Sequence, residues 1–267
     1  MKLLFLTQVL DNDDAVLGFV PRWVRGMAAC CERVRVIALE VGDTSGLPEN
    51  VDVRELGRKG RVGRWLKNRA FLREALRADG FDAVLAHMVP RYASLAAGPT
   101  RAAGAGLYLW FTHGGMSPLL VRAVEQVDKV FTASEASMRI DTPKRVVTGH
   151  GIDLEHFRAP EHEPTGRPRI LAVGRITPRK DPLTLVNALA LLRDRGCDLQ
   201  LDLVGGPLAP GDELYREELT ARVAEAGLVE RVEDAFSDEM GEAGRMYVES
   251  KYTVEAVTRR LVKAIEG

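Results

Sequence analysis

Three absences narrow what this sequence can encode. Cysteine is scarce: Cys30, Cys31 and Cys197 are the only ones. Their odd number, and the lack of a Cys-x-x-Cys spacing, exclude a disulfide scaffold and a zinc or thiol-redox motif. Free, largely buried thiols in a reducing cytosol are the expectation. Charge of one sign is missing too, because 37 Lys and Arg stand against 38 Asp and Glu, a formal net charge of −1. No global field draws nucleic acid to the chain, so any basic site has to be local. Long apolar runs are the third absence. The apolar segment in residues 1–8 ends before Asp11, Asp13 and Asp14, too short for a signal segment or a membrane span. It reads as the buried first strand of a cytoplasmic protein.

What is present is the makeup of a soluble α/β chain. Its 267 residues, 46% hydrophobic and 28% charged, suffice for one large core or two smaller ones. Short β-branched runs alternate with longer helical patterns, which is the rhythm of a mostly parallel sheet covered by helices. Strands are expected at residues 3–7, 34–39, 51–55, 83–86, 107–111, 129–132 and 145–148. Helices are expected near 20–31, 62–79, 94–103 and 116–126. Residues 1–155 therefore read as a complete doubly wound domain.

Residues 156–168 are rich in Pro, His and charge without apolar period, and read as a linker. The rhythm restarts at 169–173. Asp181 is the expected N-cap of a helix with Pro182 at its first position, Leu185, Val186, Leu189 and Leu192 on one face and Gly196 at its end. A strand at 199–204 and a helix at 213–226 follow. Beyond Val232 the rhythm fails, since 237–249 and 254–265 both look helical with no strand between them. The second domain, 169–267, is expected to hold only two convincing strands.

Chemistry concentrates where a strand end meets a helix start. In Val173-Gly174-Arg175-Ile176-Thr177-Pro178-Arg179-Lys180-Asp181-Pro182, Gly174 permits a tight turn. Arg175 offers a planar fork for phosphate oxygens, and Lys180 adds a mobile charge beside a helix N-terminus. Together they can hold a diphosphate, although surface charges on a loop would give the same pattern. His113, after the apolar strand at 107–111, reads either as a site residue or as a histidine closing a strand end. The basic run Arg58, Lys59, Arg61, Arg64, Lys67 and Arg69, with Trp65 among them and no acid between Glu55 and Glu74, reads either as a solvated helix face or as a membrane-surface patch.

The order of the pieces is informative. Trp110-Phe111-Thr112-His113-Gly114-Gly115, then Gly149-His150-Gly151-Ile152-Asp153 with Phe157, then Gly174-Arg175 with Lys180, then Leu203-Val204-Gly205-Gly206-Pro207, resembles the retaining family-4 glycosyltransferases from Met1 to about Val232. The tail, from Met240-Gly241 through Tyr252-Thr253-Val254-Glu255, also looks like the family's closing helices. The resemblance implies a GT-B-like architecture of two Rossmann-like doubly wound domains, with the acceptor on the first and a nucleotide-diphosphate sugar on the second. Carried over, Arg175 and Lys180 neutralise the donor diphosphate, Gly205 and Gly206 let the nucleotide approach the backbone, and His113 lies at the floor of the sugar site. The loop with Asn12, Asp13 and Gly18 faces the acceptor. Asp11-Asn12-Asp13 also spells the metal-binding D-x-D of another glycosyltransferase architecture. In the GT-B order, cationic side chains replace a metal, so no metal and no other cofactor is expected. The implied partners are a nucleotide sugar and a saccharide or lipid-linked acceptor.

One part of the family pattern is missing. The Glu-rich motif that holds the donor's sugar and ribose is not recognisable, and Glu233-Asp234-Ala235-Phe236 joins the 227–232 segment almost directly to the closing helices. A shortened active enzyme, a non-catalytic nucleotide-sugar-binding relative, and a deletion product all fit this departure.

Overall fold

The computed structural model describes residues 1–14, 16–58, 60–154, 167–206, 209, 211–232 and 253–267. Lys59, Pro207, most of the expected linker, the junction at 233–236 and the helix expected at 237–249 lie outside the described residues. By internal contacts the chain divides into two compact units, Met1–Arg158 together with Val248–Gly267, and Ala159–Tyr247.

The first unit is built on seven strands: β1 (Lys2–Leu10), β2 (Arg33–Val41), β3 (Val51–Glu55), β4 (Ala83–His87), β5 (Gly106–Trp110), β6 (Lys129–Thr132) and β7 (Arg145–Val147). They pair in parallel in the order β3-β2-β1-β4-β5-β6-β7. Between them run α1 (Val20–Ala28), α2 (Arg61–Arg73), which continues into a π-turn at Glu74–Ala78, α3 (Pro90–Ala103) and α4 (Pro118–Gln126). Strand alternation divides the core in two. Leu3, Phe5, Val34, Val36, Leu85 and Trp110 point to the α1 side, whereas Leu4, Leu6, Ile37, Val84, Leu107 and Leu109 point to the α2–α4 side. Both faces being covered explains why these strands read as continuous apolar runs.

Helix starts follow local chemistry. Ser117 Oγ accepts from Leu120 N at 3.2 Å and caps α4, and Pro stands in the first turn of α1, α3 and α4, where a missing N–H costs nothing.

The second unit contains β8 (Arg169–Val173) and β9 (Gln200–Val204), a parallel pair, with α5 (Pro182–Asp194) and α6 (Asp212–Glu225). Its core is small: Val186, Leu189, Leu201, Leu219 and Leu228. Val173 remains 70% exposed and Val204 45%.

The last helix, α7 (Val254–Glu266), was grouped by the sequence reading with the second domain. It packs instead on the first unit, where Val254, Val257, Leu261, Val262 and Ile265 join the α1-side core. Thr253 Oγ1 caps its start by accepting from Ala256 N at 3.0 Å. Its final carbonyls receive side chains from the sheet: Tyr108 Oη donates to Ile265 O at 3.1 Å and Lys129 Nζ to Ala264 O at 2.5 Å. These satisfy acceptors that a helix end otherwise leaves open.

The three cysteines are free, as expected, but only Cys31 is buried; Cys30 is half-buried and Cys197 is exposed. Burial pushes the Cys31 thiol up to about 12.

Candidate functional site

In the second unit the carboxyl ends of β8 and β9 bring together every residue singled out there. Gly174 N donates to Val204 O at 2.9 Å and Ile176 N to Gly206 O at 3.2 Å, so the two loops are laced backbone to backbone. Gly205 has φ +143, and a Cβ on it would lie 2.0 Å from Gly174 O. No other residue fits there. Arg175 and Lys180 are exposed on this edge, and neither forms an ion pair among the described residues. The Lys180 stem passes over Gly174, its Cε 3.9 Å from where a Cβ would stand.

Amides of Lys180 and Asp181 both donate to Thr177 O, at 2.9 and 3.2 Å, which turns the chain into α5. Asp181 does precede that helix, but not as the expected cap. It sits in the left-handed region, φ 49 and ψ 53, and accepts nothing from the helix backbone through its side chain. Its Oδ2 accepts instead from Thr184 Oγ1 at 2.7 Å. A non-glycine residue held there stores strain of about 1–3 kcal/mol. Two free cations, a glycine-lined backbone and the positive end of a helix dipole thus share one edge, an arrangement suited to a diphosphate.

In the first unit the singled-out residues lie at the carboxyl edge of the sheet. After β1, Asn12 Nδ2 donates to Asp43 Oδ2 at 3.0 Å and to Ser45 O at 3.2 Å. Asn12 first, and then the Ser45 amide and hydroxyl, which donate to Asp43 at 3.0 and 2.8 Å, hold the Asp43 carboxyl below its usual range. Asp11 Oδ1 accepts from the amides of Asp13 and Asp43 at 3.0 and 2.9 Å, leaving Asp13 exposed. Gly18 N donates to Asp14 O at 3.0 Å, and a Cβ at Gly18 would lie 2.7 Å from that same oxygen. The loop is therefore tightly self-bonded. His113 follows β5 and is exposed, with its Nδ1 accepting from Gly115 N at 2.9 Å. Its proton is on Nε2, which faces outward from that bond.

A feature that the sequence did not reveal lies between these loops. Strand order reverses between β1 and β4, the switch point where open α/β sheets place ligands. At the end of β4, Met88 has φ 60 and Val89 N donates to His87 O at 2.7 Å, a strained γ-turn. His87 is 1% exposed; its Nδ1 lies 3.1 Å from Thr7 Oγ1, and its Nε2 has no partner among the described residues. Rings of Phe5, Phe19, Trp23 and Trp110 surround it at 5.5–6.0 Å. Burial first, and then His150, pull the His87 pKa down to about 3. Its only visible signal in sequence was a histidine closing an apolar run.

Comparison with known proteins adds the fold. No family model matches the sequence, and no curated protein matches it. Among solved structures, HepE from Anabaena in complex with UDP matches with TM-score 0.66 and 20% identity over 87% of this chain and 68% of its own. MurG from Acinetobacter baumannii matches with TM-score 0.53 and 14% identity, over 91% and 71%. WaaG, a glycosyltransferase involved in lipopolysaccharide biosynthesis, matches with TM-score 0.50 and 14% identity, over 90% and 72%. The chain has a GT-B-like fold. Its second, shortened Rossmann-like unit carries the glycine-lined edge, and its first carries His113 and the loop after β1. That GT-B-like frame is what the sequence resemblance implied.

Proposed function

We propose that the chain transfers a sugar from a nucleotide-diphosphate-sugar donor to a saccharide or lipid-linked acceptor, with retention of anomeric configuration. The observation that carries this reading is the glycine-lined edge of β8 and β9 with exposed Arg175 and Lys180 and the α5 N-terminus. HepE, solved with UDP and with UDP-glucose, supports a nucleotide sugar as its occupant.

In this mechanism Arg175 and Lys180 hold the diphosphate and stabilise the negative charge that develops as the nucleotide leaves, where preorganised charge is most effective. Gly174, Gly205 and Gly206 admit the phosphates against backbone N–H groups. His113, with Nε2–H outward, donates to a hydroxyl of the sugar, and the loop of Asn12, Asp13 and Gly18 forms the acceptor side. Two cations do the work a divalent metal performs elsewhere, so no cofactor is required. We place the reaction in the cytosol, a compartment compatible with three free cysteines, and exclude nucleic acid as a partner because positive charge is local.

A second reading is favoured by one observation: the donor-sugar glutamate motif is not recognisable in the sequence. In it the chain binds a nucleotide sugar without turning it over, as a regulatory relative or a deletion product of such an enzyme. Calorimetric titration with UDP-, GDP- and ADP-sugars, with chelator present, tests both. One donor is expected to bind, and Arg175→Ala is expected to weaken it about 10- to 150-fold. Failure of all three to bind at millimolar concentration would exclude both readings, while binding without nucleotide release in the presence of acceptors selects the second.

A further inference from the structure

The basic run noted in the sequence acquires a shape in the first unit. A groove of about 340 Å³ lies between α2 with its π-turn and α3. Arg69, Arg73 and Arg77 line it at successive intervals of four residues, below Trp65 at its head, and all are exposed. A row taken every four residues drifts about 40° per step around an α-helix. The wider π-turn at Glu74–Ala78 winds the row back and keeps Arg77 on the groove.

None of the three guanidiniums forms an ion pair among the described residues; nearby Glu74 is engaged by Arg35 and Arg54 instead. Three like charges at this spacing repel one another along the helix. Among the described residues, Arg69 alone has a partner of another kind, the Trp65 ring at 5.4 Å. The buried lining is uncharged, Leu72 and Leu76 with the amide of Asn68, and Gly98 and Pro99 of α3 close the far side without any charge. At the amino end of α2 stand three exposed apolar side chains, Val62 at 72%, Trp65 at 43% and Leu66 at 54%.

Unneutralised cations beside an apolar prow fit one occupant. We propose that this face docks on an anionic membrane surface, with Arg69, Arg73 and Arg77 taking lipid phosphates in the groove and Val62, Trp65 and Leu66 entering the headgroup boundary. Charge complementarity supplies the attraction, and the aromatic and aliphatic side chains supply the anchoring that cations alone lack. Of the two readings the sequence left open, a solvated helix face and a membrane-surface patch, the second placed the contact at Arg58, Lys59, Arg61, Arg64 and Trp65. The groove moves its centre toward the carboxyl end of α2: Arg58 is paired with Glu40, Arg64 Nη1 is bonded to Arg58 O, and Lys59 and the Arg61 side chain lie outside the described residues. The inference extends the lipid-linked-acceptor reading given above. Its test measures partition rather than transfer, so either can fail alone.

Co-sedimentation of the full chain with phosphatidylcholine vesicles, with and without phosphatidylglycerol, tests it. Binding is expected only with the anionic lipid and should weaken with salt. Arg69→Gln, Arg73→Gln and Arg77→Gln together should lower partition on the order of 100-fold, leaving thermal unfolding and donor titration unchanged. Trp65→Ala with Leu66→Ala should lower it without altering the salt dependence. Equal partition onto neutral and anionic vesicles, or wild-type partition by the folded triple Gln variant, would overturn the proposal. Calorimetric binding of inorganic phosphate without vesicle partition would also overturn it, by making the groove a site for a soluble anion.

Discussion

The two units solve the same problem, a parallel sheet that must be covered, with very different resources. In the first, a seven-stranded sheet has its central strands buried on both faces, and the core gathers side chains from five helices. In the second, two strands share one small cluster, and both β8 and β9 keep exposed valines at their carboxyl ends. A two-stranded sheet is marginal without packing partners. The candidate donor chemistry is distributed the other way, since Arg175, Lys180 and Gly205 belong to the small unit. Stability and the candidate donor site are thus placed apart, and a substitution can strike one without the other.

The largest effect expected from that separation comes from Leu261→Ala in α7. It should cost about 2–5 kcal/mol, and the loss should register as melting of the first unit, although the residue lies beyond the second in sequence. Near-ultraviolet circular dichroism, which reads Trp23 and Trp110, would report it; an unchanged signal through the transition would contradict the placement of α7. Next comes Gly205→Ala. Its φ and the approach to Gly174 O predict a loss of about 1–3 kcal/mol from strain alone, confined to the second unit. Hydrogen exchange should rise in β8 and β9 and remain as before in β1 and β4, with donor binding lost.

Acid should act on the first unit. Because the folded His87 pKa of about 3 lies below the unfolded value of about 6.5, the unfolded chain takes the proton first as pH falls. The contribution is fully present above about pH 6.5 and declines by up to about 1.4 kcal/mol per pH unit between there and about pH 3. Denaturant titrations of wild type and His87→Gln over that window should diverge in slope; parallel curves would remove His87 as the cause. Smallest is Thr253→Ala, which removes the α7 cap for about 1 kcal/mol, readable as a shift of the thermal midpoint of the first unit.

Much of the first unit was legible in sequence because strands buried on both faces write themselves as apolar runs. β3, β6 and β8 have the limits read from sequence. Helix starts were less legible: α3 begins at Pro90 rather than Ser94, since proline at a helix start looks like an interruption until its place in the first turn is known. The glycines of the β8–β9 edge were legible as glycines. Their lacing through Val204 O and Gly206 O was not, because pairing between loops leaves no local pattern. Two further features were invisible for the same reason. Met88 gives no hint of a positive φ, which the surrounding sheet imposes on it, and nothing amphipathic in α7 says which core it will join.

That last helix has a consequence for how the molecule is made. Residues 254–265 complete a core begun at Leu3, while the whole second unit is translated between them. A ribosome therefore releases the small unit ready to fold before the large one can close, and the α1-side surface waits uncovered until α7 emerges. For this protein, the order of synthesis runs against the order of stability.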